Sequence, residues 1–262
     1  MVLQQKLLSL QKDELVVKKL NNFLNSQTAV SEAIGFILTL GVVILASGLV
    51  YANGLPILQQ SMDTSHFMEM QESFSLLGQN INEVAYERAP VRNTELKIIG
   101  GAMSIRHDSL MQINVNGSIN TFELGSVEYF LDHQITAYEN GAVWTKYRNN
   151  DTVIVVKPHI NYANVTTIPV IELLGTHTKA GEGSARIRAQ RSDSSTIYFI
   201  NATGHNSTIT VQSTFYKGWE RYFEDNLGAD NIVVDNTNRT VSGNITTDYI
   251  YIDFNRLNME IY

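Results

Sequence analysis

The sequence has no cysteine. That absence excludes disulfide staples, cysteine-ligated zinc, iron–sulfur clusters and a thiol nucleophile. It does not place the chain inside a cell, because 262 residues can bury a core without bridges. Proline is scarce, with four residues, which argues against a proline-rich linker. Charge is thin as well. Only 17% of residues are charged and 44% are hydrophobic, a balance that excludes a mostly disordered chain. A positive excess is also missing: 19 Lys+Arg stand against 26 Asp+Glu, a net −7. A basic nucleic-acid surface is therefore not expected, and nucleic acid is not a predicted partner.

What is present is unevenly distributed. Before residue 29 the charges are Lys6, Lys12, Lys18 and Lys19 against Asp13 and Glu14. Between 29 and 57 the only charge is Glu32, and residues 58–262 are acidic overall. From Ala33 to Ala52 the chain reads AIGFILTLGVVILASGLVYA, twenty residues without a charge. At about 1.5 Å per residue a helix of that length spans the roughly 30 Å hydrocarbon layer of a membrane. A buried core helix would keep a polar face, and this run has none. The lysines precede it, so the positive-inside bias puts the N-terminus in the cytoplasm and the large C-terminal part outside. The expected localisation is a single-pass cell-membrane protein.

Three fates are open to this segment. It can remain as an uncleaved anchor. It can be a secretory signal cut after Val50-Tyr51-Ala52, although 28 residues ahead of the apolar run is long for a signal. The third fate comes from the residues around the start of the run, Gln27-Thr28-Ala29-Val30-Ser31-Glu32-Ala33-Ile34-Gly35-Phe36-Ile37-Leu38. This segment resembles the archaeal type IV pilin-like envelope proteins, whose prepilin leader is cut on the cytoplasmic side of the hydrophobic helix. The resemblance implies cleavage between Ala29 and Val30, a mature chain beginning VSEAIGFILTLG, and a prepilin peptidase and other pilin-like subunits as partners. Such leaders usually carry Lys or Arg two residues before the cut, where this chain has Thr28. Glu32 has two readings: the acidic residue that pairs with a neighbour's terminal amine during assembly, as in bacterial pilins, or a solvated interfacial carboxylate.

Beyond the run, Asn53-Gly54-Leu55-Pro56 signals a kink or break. Apolar residues then recur at Leu58, Met62, Phe67, Met70, Phe74, Leu77, Ile81 and Val84, one face of a helix ending near Arg88, ahead of Pro90. One long helix over about 30–88 is predicted, half apolar all round and half amphipathic. The second half needs a sheet to cover.

From Thr94 onward, β-branched and aromatic runs alternate with turn signals. Strands are expected at 96–99, 103–107, 111–115, 119–124, 127–131, 135–138, 143–147, 153–157, 170–174, 185–189, 196–200, 207–215, 232–234 and 248–254. Asn116-Gly117, Asn140-Gly141 and Asn149-Asn150-Asp151 carry hairpin chemistry. Residues 177–184 read as a flexible loop. Lys217–Leu227 reads as a short helix whose Trp219, Tyr222, Phe223 and Leu227 form a core stripe rather than a cofactor box. This aromatic segment, the following Ile232–Val241 and the stretch Ile135–Lys146 (ITAYENGAVWTK) extend the resemblance to an uncharacterised branch of the same envelope proteins. The fold class is α+β. The expected organisation is a cytoplasmic leader at 1–29, a transmembrane helix at 30–56, an amphipathic helix at 57–90 and a β-rich extracellular domain at 91–262.

Chemistry is sparse. The histidines at 66, 107, 133, 159, 177 and 205 are scattered and fit no HExxH frame. No GxSxG elbow, P-loop or GxGxxG is present. Asp230, Asp235, Asp248 and Asp253 do not match a calcium loop. Glu224-Asp225 would serve acid–base work only inside a cleft. Arg186, Arg188 and Arg191 form a small basic patch, read as a solvated strand face. No catalytic residue, metal or cofactor is assigned. One signal stands out: Asn-x-Ser/Thr sequons at Asn116, Asn150, Asn164, Asn201, Asn206, Asn238 and Asn244, all in the part expected outside. N-glycosylation at a subset of them is expected.

The leading expectation is an archaeal type IV pilin-like cell-surface subunit, membrane-anchored or assembled in a filament through its N-terminal helix, with an outward domain for adhesion or contact. Gly35, Gly41, Ala46 and Gly48 would allow close helix packing in such a filament. A membrane-tethered binding protein that never polymerises is the alternative. A surface hydrolase ranks third, and would require a cleft holding two carboxylates about 5–10 Å apart.

Overall fold

The computed structural model describes the backbone of residues 2–262, and side chains except those of 1–11, 22–30, 63, 193 and 194. The chain divides into two compact units, Met1–Thr64 and Ser65–Tyr262. Helix α1 is assigned over Val2–Ala85, so it begins well before the predicted residue 30. It also runs unbroken through Pro56, as the single long helix predicted, so Asn53–Pro56 does not end it. Proline removes one backbone donor, and the neighbouring Asn53 Nδ2 donates to the Leu49 carbonyl at 2.8 Å.

In the first unit the apolar run has no protein cover. Ile34, Phe36, Leu45 and Val50 are all exposed, Leu45 at 69%. Thr39 Oγ1 donates within its own helix, lying 3.0 Å from the Gly35 carbonyl and 2.9 Å from that of Phe36. The Thr39 hydroxyl is thereby satisfied without water, as a polar group in an apolar medium requires.

The second unit begins within α1. Phe67, Met70, Phe74, Leu77, Ile81 and Val84 are buried, at the spacing the sequence predicts. Leu58 and Met62, read as part of the same stripe, are exposed at 62% and 58%. The protein core therefore begins at Phe67. The helix ends at Ala85, three residues short of the expected end, and Arg88 follows with φ 61°.

Fifteen strands follow. They are β1 (Val91–Ile98), β2 (Ala102–Arg106), β3 (Leu110–Val115), β4 (Ser118–Glu123), β5 (Ser126–Leu131), β6 (Gln134–Glu139), β7 (Ala142–Lys146), β8 (Thr152–Val156), β9 (Val165–Leu174), β10 (Thr178–Ala180), β11 (Gly183–Asn201), β12 (Ser207–Gln212), β13 (Asp230–Asp235), β14 (Thr240–Ile245) and β15 (Tyr249–Ile261). Helix α2 (Tyr216–Tyr222) precedes β13 and continues into a π-helical turn, Phe223–Leu227. The class is α+β, as expected: a long N-terminal helix, a β-rich domain and one short aromatic helix.

Three sheets form, in the orders β1-β11-β15-β9, β10-β2-β5-β6-β7-β8 and β13-β14-β12-β3-β4. Every pairing is antiparallel except β15 with β9. The two runs predicted at 185–189 and 196–200 are one strand, β11, with a register slip between Arg191 and Ser195. The predicted loop at 177–184 instead holds β10, which pairs with β2.

Two apolar clusters result. One packs the buried face of α1 on the first two sheets, joining Phe74, Leu77 and Ile81 to Leu96, Ile187, Met259, Tyr138 and Val143. The other gathers α2 with residues of all three sheets, joining Trp219, Tyr222 and Phe223 to Ile113 and Val211 of the third, Trp144 of the second and Ile252 of the first. Strands β6 and β7 divide them. Ala137, Ala142 and Trp144 face one cluster, and Tyr138 and Val143 face the other. The helix comes close here because residue 78 is glycine: a Cβ would lie 3.1 Å from Val143 Cγ2 and 3.2 Å from Tyr138 Cδ2.

Candidate functional site

The most elaborate polar arrangement surrounds the β6–β7 turn, Glu139-Asn140-Gly141. Asn140 (φ 48°) and Gly141 (φ 82°) take the paired left-handed geometry of a two-residue hairpin. Unlike most turns, this one is buried. Glu139 is 1% exposed. Its Oε1 accepts Trp219 Nε1 at 2.8 Å, and Ser213 Oγ lies 2.8 and 2.9 Å from its two oxygens. Asn140 Oδ1 accepts the Ile171 N–H at 2.8 Å, which ties the turn to β9. Asn82 of α1 donates to the Gly141 carbonyl at 3.4 Å and accepts the Tyr138 hydroxyl at 2.8 Å. One hairpin tip thus fastens α1, β9 and α2.

Burial raises the Glu139 pKa to about 7, against the lowering effect of the Trp219 and Ser213 hydrogen bonds. Burial also raises that of Glu128, partly offset by Ser126 Oγ donating to it at 2.9 Å. The Tyr86 hydroxyl, buried near Gly141, is pushed well above its usual value by desolvation first and by Asp253 second. A carboxyl as enclosed as Glu139 is out of reach of a solute. Its chemistry is that of a proton-holding tie between elements.

The predicted site residues are dispersed. Ala29 and Val30 lie outside the residues whose side chains are described. Glu32 is exposed on α1. The arginine patch is neutralised: Arg186 faces Glu95 at 3.8 Å and Arg188 faces Glu260 at 3.6 Å. Arg191 donates to Asn255 Oδ1 at 3.2 Å. An open groove lies over this mixed-charge face of the paired strands β1 and β11, lined also by Lys179 and Tyr262. His159 packs at a tilt on Tyr86 and His133 meets Phe130 edge to face, while His107 bonds the Gly175 carbonyl. Among the described residues no three His, Asp or Glu side chains gather as a metal site. Asp235 caps its own turn through the Asn238 and Thr237 N–H groups, and those bonds, Asn238 foremost, lower its pKa. Glu224 and Asp225 are exposed. Trp219, Tyr222, Phe223 and Leu227 are core, as read.

Six of the seven sequon asparagines are exposed, and Asn244 is half-buried on β14. Sequence reasoning missed Glu139, because a charged residue beside an Asn-Gly turn reads as solvated. A signal was present in Ala137, Tyr138, Val143 and Trp144, which place bulk on both faces of one hairpin, the mark of a strand pair buried on both sides.

Among the described residues one helical segment, within Ser31–Ala85, is long and apolar enough to cross a membrane, and a β-rich domain follows it in the chain. The chain belongs to the DUF7289 family of unknown function, whose model matches residues 28–259. It is also similar to an uncharacterized protein of Archaeoglobus fulgidus, 21% identical over 225 residues, covering 77% of this chain and 83% of the relative. No solved structure matches.

Proposed function

We propose that this protein is an archaeal type IV pilin-like cell-surface subunit. Its apolar helix anchors it in the membrane or packs among sister helices in a filament, and its β-rich domain faces outward for contact or adhesion. The observation that carries this reading is the run Ala33–Ala52. It is apolar on every side, it lacks protein cover, and it directly follows the leader-like segment Gln27–Glu32. The four lysines ahead of it support a cytoplasmic N-terminus. The relative that this chain resembles is archaeal, as the reading supposes of the chain itself. Glycans on the external sequons would add solvated bulk and shield sheet edges. The protein acts by assembly and contact, without catalysis or a cofactor.

Mass measurement of the mature chain is the test. A start at Val30, together with this chain in sheared surface filaments seen by electron microscopy, is the expected result. Retention of residues 1–29 with only monomers in detergent would favour a second reading, a tethered surface protein that never polymerises. Thr28, standing where leaders usually carry a basic residue, is the observation that favours it.

A further inference from the structure

The outer face of the first sheet carries an uncovered aromatic patch. Along β11, Ile197, Phe199 and Asn201 alternate outward, while Tyr198 and Ile200 pack against the core. Phe199 is 64% exposed, although it sits in mid-strand. In the register with β15, Phe199 lies opposite Tyr251 and Asn201 opposite Tyr249. The rings of Phe199 and Tyr249 stack, with centroids 5.2 Å apart and planes 19° apart. Val165 of β9 borders Tyr249 on its other side and is also exposed.

The sequence here is Phe199-Ile200-Asn201-Ala202-Thr203, a sequon with an aromatic residue two places before its asparagine on the same face of a strand. The turn after Asn201 is fixed. Asn201 Oδ1 accepts the Thr203 N–H at 3.0 Å, and Thr203 Oγ1 donates to the Asp248 carbonyl at 3.1 Å. With Oδ1 engaged, Asn201 Nδ2 has no partner among the described residues. Other sequons differ. Asn238 Nδ2 is held by Asp235 Oδ2 at 2.6 Å, Asn244 is half-buried, and Asn206 and Asn244 have Gly204 and Ser242 two places earlier in place of an aromatic residue. Asn116 and Asn150 sit at positive φ in turns with no aromatic residue two places earlier. Asn164 follows Tyr162 at the same spacing, but its Thr166 is fully buried, whereas Thr203 is exposed.

We propose that Asn201 is the preferred N-glycosylation site of this protein, and that the first sugar of its glycan lies over Phe199 and Tyr249. A pyranose presents a face of C–H groups. Placed on the electron-rich face of an exposed ring, it removes apolar surface from water on both partners. The donor is a polyprenyl-phosphate-linked oligosaccharide. Its sugar C1–O bond breaks, the phosphate keeps the electron pair, a C1–Nδ2 bond forms and Nδ2 gives up one proton. The inference rests on the reading that the β-rich domain is external, since such donors are used there.

The test takes the full chain, extracted in detergent from archaeal cells that express it. Site-resolved glycopeptide mass spectrometry is expected to find Asn201 occupied. Phe199→Ser, which changes an exposed side chain, is expected to lower that occupancy several-fold. Thr203→Ala, which removes the sequon and also the hydroxyl bond to Asp248, is expected to lower the melting temperature by about 2–4 °C more in the archaeal product than in the same variant made in cells without N-glycosylation. In a Phe199→Ser background that difference should vanish. Glycan at other sequons with Asn201 bare would overturn this inference and leave the external placement intact. If all seven are bare, the inference also fails, and the placement is judged separately. Glu182→Cys, the single thiol of a cysteine-free chain at an exposed position, should react with an impermeant maleimide on intact cells. Failure to label there would overturn the external location itself.

Discussion

Two stretches of helix α1 carry the same kinds of residue and meet opposite surroundings. Phe36, Ile37, Leu38 and Leu45 are exposed at 63–69%, whereas Phe74, Leu77 and Ile81 are at most 1% exposed. Composition therefore does not decide burial. Patterning does: the second stretch has apolar residues on one face and Gln, Asn and Glu on the other, so two sheets can cover it while water takes the rest. The first stretch has no polar face to offer water. At about 25 cal/mol per Å², its exposed side chains demand an apolar medium from outside the chain. Lipid or the helices of other copies would supply it.

The contrast breaks most visibly at Phe74. Phe74→Ala should destabilise the β-rich domain by about 3–5 kcal/mol, read as a lower urea midpoint, and leave membrane partitioning unchanged. A variant that left the membrane fraction would show that the two stretches are not independent. The converse substitution is Leu45→Arg. A charge at the middle of the span should cost about 2.5–3.5 kcal/mol of membrane insertion, read as release on carbonate extraction. The melting temperature of the domain should not move.

Titration sharpens the same division, because Glu139 belongs wholly to the domain. Its pKa in the folded chain, about 7, lies above the ordinary carboxylate value. Below pH 4.5 both folded and unfolded chains hold the proton, and the stability contribution is complete. Between about pH 4.5 and 7 the unfolded chain releases its proton while the folded chain retains it. Stability therefore falls as pH rises, by at most about 3 kcal/mol, and levels off above 7. Glu139→Gln, which keeps an acceptor for Trp219 and Ser213, should flatten that slope in thermal melts. An unchanged slope would assign it to other carboxylates, Glu128 first.

The parts of the fold legible in the sequence are those set by local period and turn chemistry. Phe67 to Val84 announce a helix face, Asn140-Gly141 a hairpin, and Trp219 to Leu227 a core stripe. Leu58 and Met62 fit the same period yet stay exposed, because a period names a face and not its partner. Strand β14 was missed because Thr240–Ile245 reads TVSGNI, polar and interrupted by glycine. In the fold, Gly243 lies under Ala229 and Phe223, where a Cβ would come within 2.8 and 3.2 Å. The parallel pairing of β9 with β15 joins segments about eighty residues apart, and no local pattern encodes it. Of the candidate sites, the sequons and the apolar run are visible as strings. The buried tie at Glu139 is not, since its meaning lies in Ser213 and Trp219, more than seventy residues away.

The smallest test compares two glycines of the one helix. At Gly78 an added methyl meets Val143 and Tyr138 at 3.1–3.2 Å, inside ordinary contact distance. Gly78→Ala sets that crowding against the gain in helix propensity, and the rigid sheet behind it should leave a net loss of about 1 kcal/mol in domain stability. At Gly41 nothing lies within 4 Å. Gly41→Ala should therefore leave the isolated chain's domain stability unchanged. If sister helices pack against this stretch in a filament, the same methyl should reduce filament yield, because small residues set how closely helices approach. A Gly41→Ala protein that assembled normally would place Gly41 outside any close helix–helix contact in the filament.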